Sequence, residues 1–115
     1  MNFKGKVAED QAVFYLQKQG YKIVERNFSV RGGEIDIIAW EGKTLCFVEV
    51  KSRGSADYGY PAEAVNRRKQ QRLICAAQLY LLRHFKAGPP ACRFDVISLC
   101  AEHPPHLICN AFSLS

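Results

Sequence analysis

The period of polar and apolar positions changes several times along the chain, and each change marks an element. From Lys4 to about Gln19 the apolar residues recur at helical spacing. At about 100° per residue, Gly5, Ala8, Ala12, Val13, Tyr15 and Leu16 fall on one side. Gly20 stands where a helix C′ residue is expected. Residues 21–30 alternate as a strand does, and Arg31-Gly32-Gly33 reads as a turn. Glu34–Trp40 and Thr44–Ser52 are apolar on both faces, the pattern of strands inside a sheet. Residues 53–61 form a polar, glycine-containing loop. A second helix follows, from about 62 or 66 to 86, with Leu73, Ile74, Ala77, Leu81 and Phe85 in its core, and Gly88-Pro89-Pro90 stops it. Cys92–Cys100 is a fourth strand and about His106–Phe112 a fifth. The order α-β-β-β-α-β-β predicts an α/β fold, a central mixed sheet of about five strands flanked by helices.

Two strand segments carry acids inside otherwise apolar runs: Gly33-Glu34-Ile35-Asp36-Ile37-Ile38 and Phe47-Val48-Glu49-Val50-Lys51. Carboxylates rarely stand in such places unpaired. With Gly42-Lys43 as a two-residue loop, glycine first as a type II′ turn prefers, every facing pair sums to 85. Asp36 then faces Glu49, Glu34 faces Lys51, Ile38 faces Phe47 and Trp40 faces Leu45. Asp36, Glu49 and Lys51 share one face. Like charges so placed, with Cβ atoms about 4.5–5.5 Å apart, repel. A magnesium ion with oxygen ligands at about 2.0–2.1 Å bridges that gap.

This pattern assigns Asp36 and Glu49 to a divalent metal, Mg2+ or Mn2+, with the Val50 carbonyl as a third ligand. Glu9 falls inside the apolar stripe of the first helix, close to Leu16 in angle, and would reach the same ion directly or through water. Lys51 would orient or help deprotonate an attacking water and offset charge on the phosphorane. That chemistry is metal-dependent phosphodiester hydrolysis. The plain alternative is a Glu34–Lys51 salt bridge with Asp36 and Glu49 merely at a sheet end.

Charge supports a polyanionic partner. The chain of 115 residues carries a net charge of +5, with a pI near 9.1. Arg67, Arg68, Lys69 and Arg72 cluster at the start of the second helix, where exposed cations oppose the helix dipole by about 0.3–1 kcal/mol each. A phosphate backbone explains tolerating them; a solvated basic face is the other reading. Tyr58 and Tyr60, in the loop, are candidates to stack on bases, whereas Trp40 reads as core and His84 as surface. The length predicts a single domain over residues 1–115. The apolar runs are too short for a membrane span, and the N-terminus shows no export signal, so the cytoplasm is expected and no membrane contact. Cys46, Cys75, Cys92, Cys100 and Cys109 read as free thiols in that compartment. Cys100, His103, His106 and Cys109 repeat every three residues, but they read as two strand ends around a His103-Pro104-Pro105-His106 loop rather than as a zinc site. Asp95 reads as a structural acid paired with Arg93.

The spacing Asp36-x12-Glu49-Val50-Lys51 resembles the core motif of the PD-(D/E)xK nucleases, whose fold is restriction-endonuclease-like. Ile35 stands where that superfamily has a proline, which removes no ligand. An acid on the first helix, here Glu9, is similar to what archaeal Holliday-junction resolvases show. Nearly the whole chain resembles the bacterial YraN family of predicted endonucleases. The matching stretches are Gly5-x-x-Ala8-Glu9, Asn27-Phe28, Gly33 to Ile38, Phe47 to Lys51, Pro61-x-Glu63-Ala64-Val65, Lys69-Gln70-x-Arg72-Leu73 and Arg93-Phe94-Asp95-Val96. The resemblance implies a Mg2+- or Mn2+-dependent endonuclease acting on DNA, branched or damaged DNA included, that leaves a 5′-phosphate and a 3′-hydroxyl. The rival is a non-catalytic nucleic-acid-binding module, or a subunit of a larger DNA-processing complex, built on the same scaffold. Cutting both strands would call for a homodimer, because one chain holds one site.

Overall fold

The computed structural model describes residues 3–53, 65–101 and 103–113. The elements follow in the expected order: α1 (Phe3–Lys18), β1 (Lys22–Val30), β2 (Gly33–Glu41), β3 (Thr44–Arg53), α2 (Arg67–His84), β4 (Cys92–Cys100) and β5 (His103–Phe112). The strands form one mixed sheet in the order β1-β2-β3-β4-β5. Only β3 and β4 are parallel, a pairing that needs a crossover, and α2 lies in that connection. The β2–β3 hairpin follows the 85 rule from Glu41↔Thr44 to Ile37↔Val48. Gly42 takes a φ of 59° at the first loop position, as a II′ turn requires.

Each face of the sheet carries its own core. Leu73, Ala76, Ala77 and Tyr80 of α2 pack on Phe28, Ile35, Ile38, Leu45, Phe47, Phe94 and Val96. Ala8, Ala12 and Leu16 of α1 pack on Tyr21, Ile37, Ala39, Cys46, Val48, Ile97 and Leu99. The helical stripe expected of α1 is therefore the buried one. On α2 the sequence reading misses Tyr80, whose ring meets Phe28 and Phe47 edge-on. Trp40 is half-buried against Phe85.

Strict alternation breaks in the middle of β2. Ile35 and Ile38 lie in the α2-side core, whereas Ile37 lies in the α1-side core. On β1, Arg26 pairs with Ile37 and Phe28 with Ile35, so Asn27 stands opposite Asp36. Asn27 has a φ of 55°, a left-handed conformation that asparagine tolerates better than most residues. Both strands thus switch face at the Asn27–Asp36 level, and the β2–β3 ladder ends there too.

Several expected boundaries move, most by one residue. Gly33 is the first residue of β2 rather than part of a turn. α2 ends at His84, two residues early. β5 begins at His103, so the His103-Pro104-Pro105-His106 segment is strand and not loop. β5 is an edge strand, where prolines without an N–H are tolerated.

Asp95 is fully buried and accepts hydrogen bonds from Tyr21 Oη (3.0 Å), Arg93 Nε (2.9 Å) and the Asn110 backbone N–H (2.9 Å). Arg93 also reaches Glu41 at 2.6 Å. Asp95 is the structural acid the sequence suggests: with Arg93 it ties β2, β4 and β5 to Tyr21, the residue before β1.

Gly33 decides how closely α2 approaches the sheet. A Cβ on it would collide with the Arg72 carbonyl oxygen and lie 3.0 Å from the Ala76 nitrogen. These are backbone atoms of α2 and can yield only if the helix shifts. Gly33→Ala should therefore destabilise the protein by about 1–3 kcal/mol in chemical denaturation, and an unchanged midpoint would contradict the close approach.

Candidate functional site

The site is built at the end of the β2–β3 hairpin, under the first turn of α2. Leu45 and Phe47 point to α2, and alternation carries Glu49 and Lys51 onto the same face. Glu49 is only 3% exposed. Its Oε2 lies 3.3 Å from Lys69 Nζ, and its Oε1 is buried without a hydrogen-bond partner among the described residues. Asp36, at the level where β2 switches face, turns its carboxylate toward β3 and accepts the Val50 N–H at 2.8 Å.

Burial pushes the Glu49 carboxyl up to about 8, with the neighbouring Asp36 carboxylate as the next cause and Lys69 as the opposing one. Burial pushes the Lys69 ammonium down, but Glu49, Glu34 and Asp36 outweigh it and hold it above the ordinary lysine value. Lys69 also lies 3.5 Å from Glu34, and Arg72 is 3.8 Å from the same carboxylate. The Asn66 side chain caps α2 by accepting the Lys69 N–H at 2.9 Å, which sets where the lysine leaves the helix.

The residues predicted from sequence divide accordingly. Asp36, Glu49 and the Val50 backbone come together. Lys51 shares the Glu49 face and pairs in register with Ser98 of β4. Glu34 meets Lys69 and Arg72 rather than taking Lys51 as its partner. Glu9 is on the α1 side, 3.8 Å from Arg26, which also holds Asp10 at 2.7 Å. Lys69 and Arg72, expected to grip phosphate, sit against acids of the site, while Arg67 and Arg68 are exposed. Tyr58 and Tyr60 lie outside the described residues. Lys69 is the site residue that sequence reasoning placed in another role. The only signal was its position in the first turn of the helix that follows β3.

Among the described residues, no group of three or more His, Cys, Asp and Glu side chains is placed to hold a metal. Cys109 contacts Tyr21 Oη at 3.6 Å and Arg93 at 3.7 Å, whereas Cys100 is paired with His103 at the start of β5. The five cysteines are free. The Asp36–Glu49 pair does fit a divalent cation. It offers hard oxygen donors, a buried carboxylate oxygen without a partner, and mutual repulsion that a cation would relieve.

Residues 8–99 match the model of the uncharacterised protein family UPF0102. The chain belongs to this family. It is 50% identical over 111 residues to a UPF0102 protein of Persephonella marina, covering 96% of this chain and 94% of that one. A UPF0102 protein of Janthinobacterium sp. (strain Marseille) is 51% identical over 94 residues, covering 82% of this chain and 75% of its own. One from Herminiimonas arsenicoxydans is 50% identical over 97 residues, covering 84% and 77%. The YraN-like resemblance read from the motifs is thus family membership. The matched UPF0102 region contains Glu9, Asp36, Glu49, Lys51, Lys69 and Ser98. Among the described residues, no helix is long and apolar enough to cross a membrane.

A carboxyl raised from 4.5 to about 8 holds its proton more tightly in the folded than in the unfolded chain. Its contribution to stability is full below pH 4.5 and is lost as pH rises toward 8. In EDTA, the denaturation midpoint should therefore fall across that window, and Glu49→Gln should flatten the slope. An identical slope in both proteins would place the titration elsewhere.

Proposed function

We propose that this protein is a divalent-metal-dependent endonuclease that hydrolyses phosphodiester bonds of DNA. The observation that carries the reading is the buried Glu49 carboxylate with an unpartnered oxygen, set beside Asp36 and flanked by lysines. Such an arrangement destabilises the fold and is retained where it does chemistry. Asp36, Glu49 and the Val50 carbonyl would hold a Mg2+ or Mn2+ ion. That ion, when bound, makes water a better nucleophile at neutral pH and offsets charge on the phosphate.

The remaining roles belong to the chain's own residues. Lys69 favours the ionised form of Glu49. Lys51, on the Glu49 face, orients the attacking water and stabilises negative charge on the phosphorane. Arg67 and Arg68, exposed at the start of α2, meet the phosphate backbone. Arg72 and Glu34 hold Lys69 in place from the other side. Glu9 supports the back of the site through Arg26, whose β2 partner Ile37 adjoins Asp36. One chain carries one such site, so cutting both strands of a duplex or junction requires two copies.

The test is a panel of labelled DNAs (single-stranded, duplex, nicked, flapped and four-way junction) with magnesium, manganese or EDTA, beside Glu49→Ala. Cleavage should need the metal and vanish in the variant, while DNA binding persists. Equal cleavage by Glu49→Ala would overturn the assignment, and binding without cleavage under either metal would leave a nucleic-acid-binding module. Lys69→Met should slow cleavage at pH 7 by about tenfold and lose less at pH 9, because Glu49 would ionise only at higher pH. The pH–rate profiles of the two proteins check this.

A further inference from the structure

At the turn end of the β2–β3 hairpin, Gly20, Lys22, Trp40, Gly42 and Lys43 line a shallow, open cavity of about 470 Å3. Small-ligand sites usually measure about 300–1,000 Å3. Trp40 stands four residues along β2 from Asp36, roughly 13 Å at about 3.3 Å per residue, so the cavity is separate from the carboxylate site. Trp40 is the chain's only tryptophan. It packs on the α2-side core, and the Phe85 ring stands 6.1 Å away with the two planes 80° apart. A perpendicular neighbour props the indole without lying flat on it.

Two cations flank this ring. Lys22 faces Trp40 across the β1–β2 ladder, with Cβ atoms about 4.5–5.5 Å apart, and Lys43 stands in the turn. Both lysines are exposed, and among the described residues neither forms an ion pair or stacks on the indole. The lining residues include no carboxylate, and Glu41, next to Trp40 in the chain, holds Arg93 at 2.6 Å. Gly20 and Gly42 keep the rim low, since a Cβ on either would meet nothing within 4 Å. A partly wet indole forfeits apolar burial, and neighbouring cations without a counter-ion repel. A ligand with a flat ring and a negative charge relieves both. A nucleotide is such a ligand, but its base must be unpaired to offer a face to the indole. The low glycine rims leave room for a chain to continue on either side of it.

We propose that this cavity binds an unpaired DNA strand, with one base stacked on Trp40 and backbone phosphates held by Lys22 and Lys43. The choice of DNA rests on the nuclease reading; the stacking site itself does not.

Tryptophan fluorescence reports on this site alone, because Trp40 has no counterpart elsewhere in the chain. The protein is titrated in EDTA with a short oligothymidylate, a duplex of the same length and thymidine monophosphate. The oligothymidylate should quench the emission saturably, and the other two should bind at least tenfold more weakly. The double variant Lys22→Gln/Lys43→Gln should bind the oligothymidylate at least tenfold more weakly than wild type. The slope of log affinity against log salt should become shallower by about 0.7 for each lysine removed. Its melting temperature should be unchanged, since both side chains are exposed. Lys22→Arg/Lys43→Arg keeps the charges and should keep the binding. Emission that no strand quenches overturns the proposal, as does equal affinity in the glutamine variant or equal quenching by the duplex. Equal quenching by the monophosphate at the same nucleotide concentration makes this a free-nucleotide site and overturns the strand. If the oligothymidylate binds through Trp40 and the lysines while no DNA is cleaved in magnesium or manganese, the nuclease reading fails and this site stands.

Discussion

A carboxyl group buried inside a sheet beside a second acid is the constraint around which this end of the molecule is arranged. Removing Glu49 from water favours its neutral form, and a second acid beside it favours that form further. Compensation has to come from outside the strand, since β3 is flanked on both sides by other strands. It comes from α2. Gly33 lets the helix backbone approach β2, the Asn66 cap fixes the first turn, and Lys69 then reaches both Glu49 and Glu34. A missing side chain, a helix cap and an ion pair are one device seen at three levels.

The backbone contributes as much as the charges. Asp36 could not accept the Val50 N–H if the β2–β3 ladder continued past Ile37↔Val48 with main-chain partners. The ladder stops because β1 and β2 switch face together, with Asn27 in the left-handed region opposite Asp36. Irregularities of this kind re-aim side chains near functional sites.

The two faces of the sheet show how burial alone fails to identify a site. Asp95 and Glu49 are both buried acids in interior strands. Asp95 is saturated by Tyr21, Arg93 and Asn110, and its network links three strands to the residue before β1. Glu49 keeps one oxygen without a partner, as Ser98 does its hydroxyl. A satisfied buried acid acts as a clamp; an unsatisfied one marks where something else is to bind.

The chain's own periodicity determined the elements, their order and most of the hairpin. A two-residue turn and a strict two-residue alternation are local properties, so the register from Glu41↔Thr44 to Ile37↔Val48 could be counted from the letters. The apolar stripe of α1, the interior position of β2 and β3, and the Asp95–Arg93 pair were legible for the same reason. Only the tertiary structure decided what the long-range contacts control. Glu9 lies against Arg26, Glu34 against Lys69 and Arg72, and Lys69, expected to face a phosphate backbone, lies against the carboxylate site. Gly33 proved to be a packing position, and His103 to Phe112 an edge strand that accommodates two prolines. None of these follows from spacing, because each depends on where α2 lands on the sheet or on which strand has a free edge. Those placements are set by the packing of side chains far apart in sequence, which local periodicity does not encode.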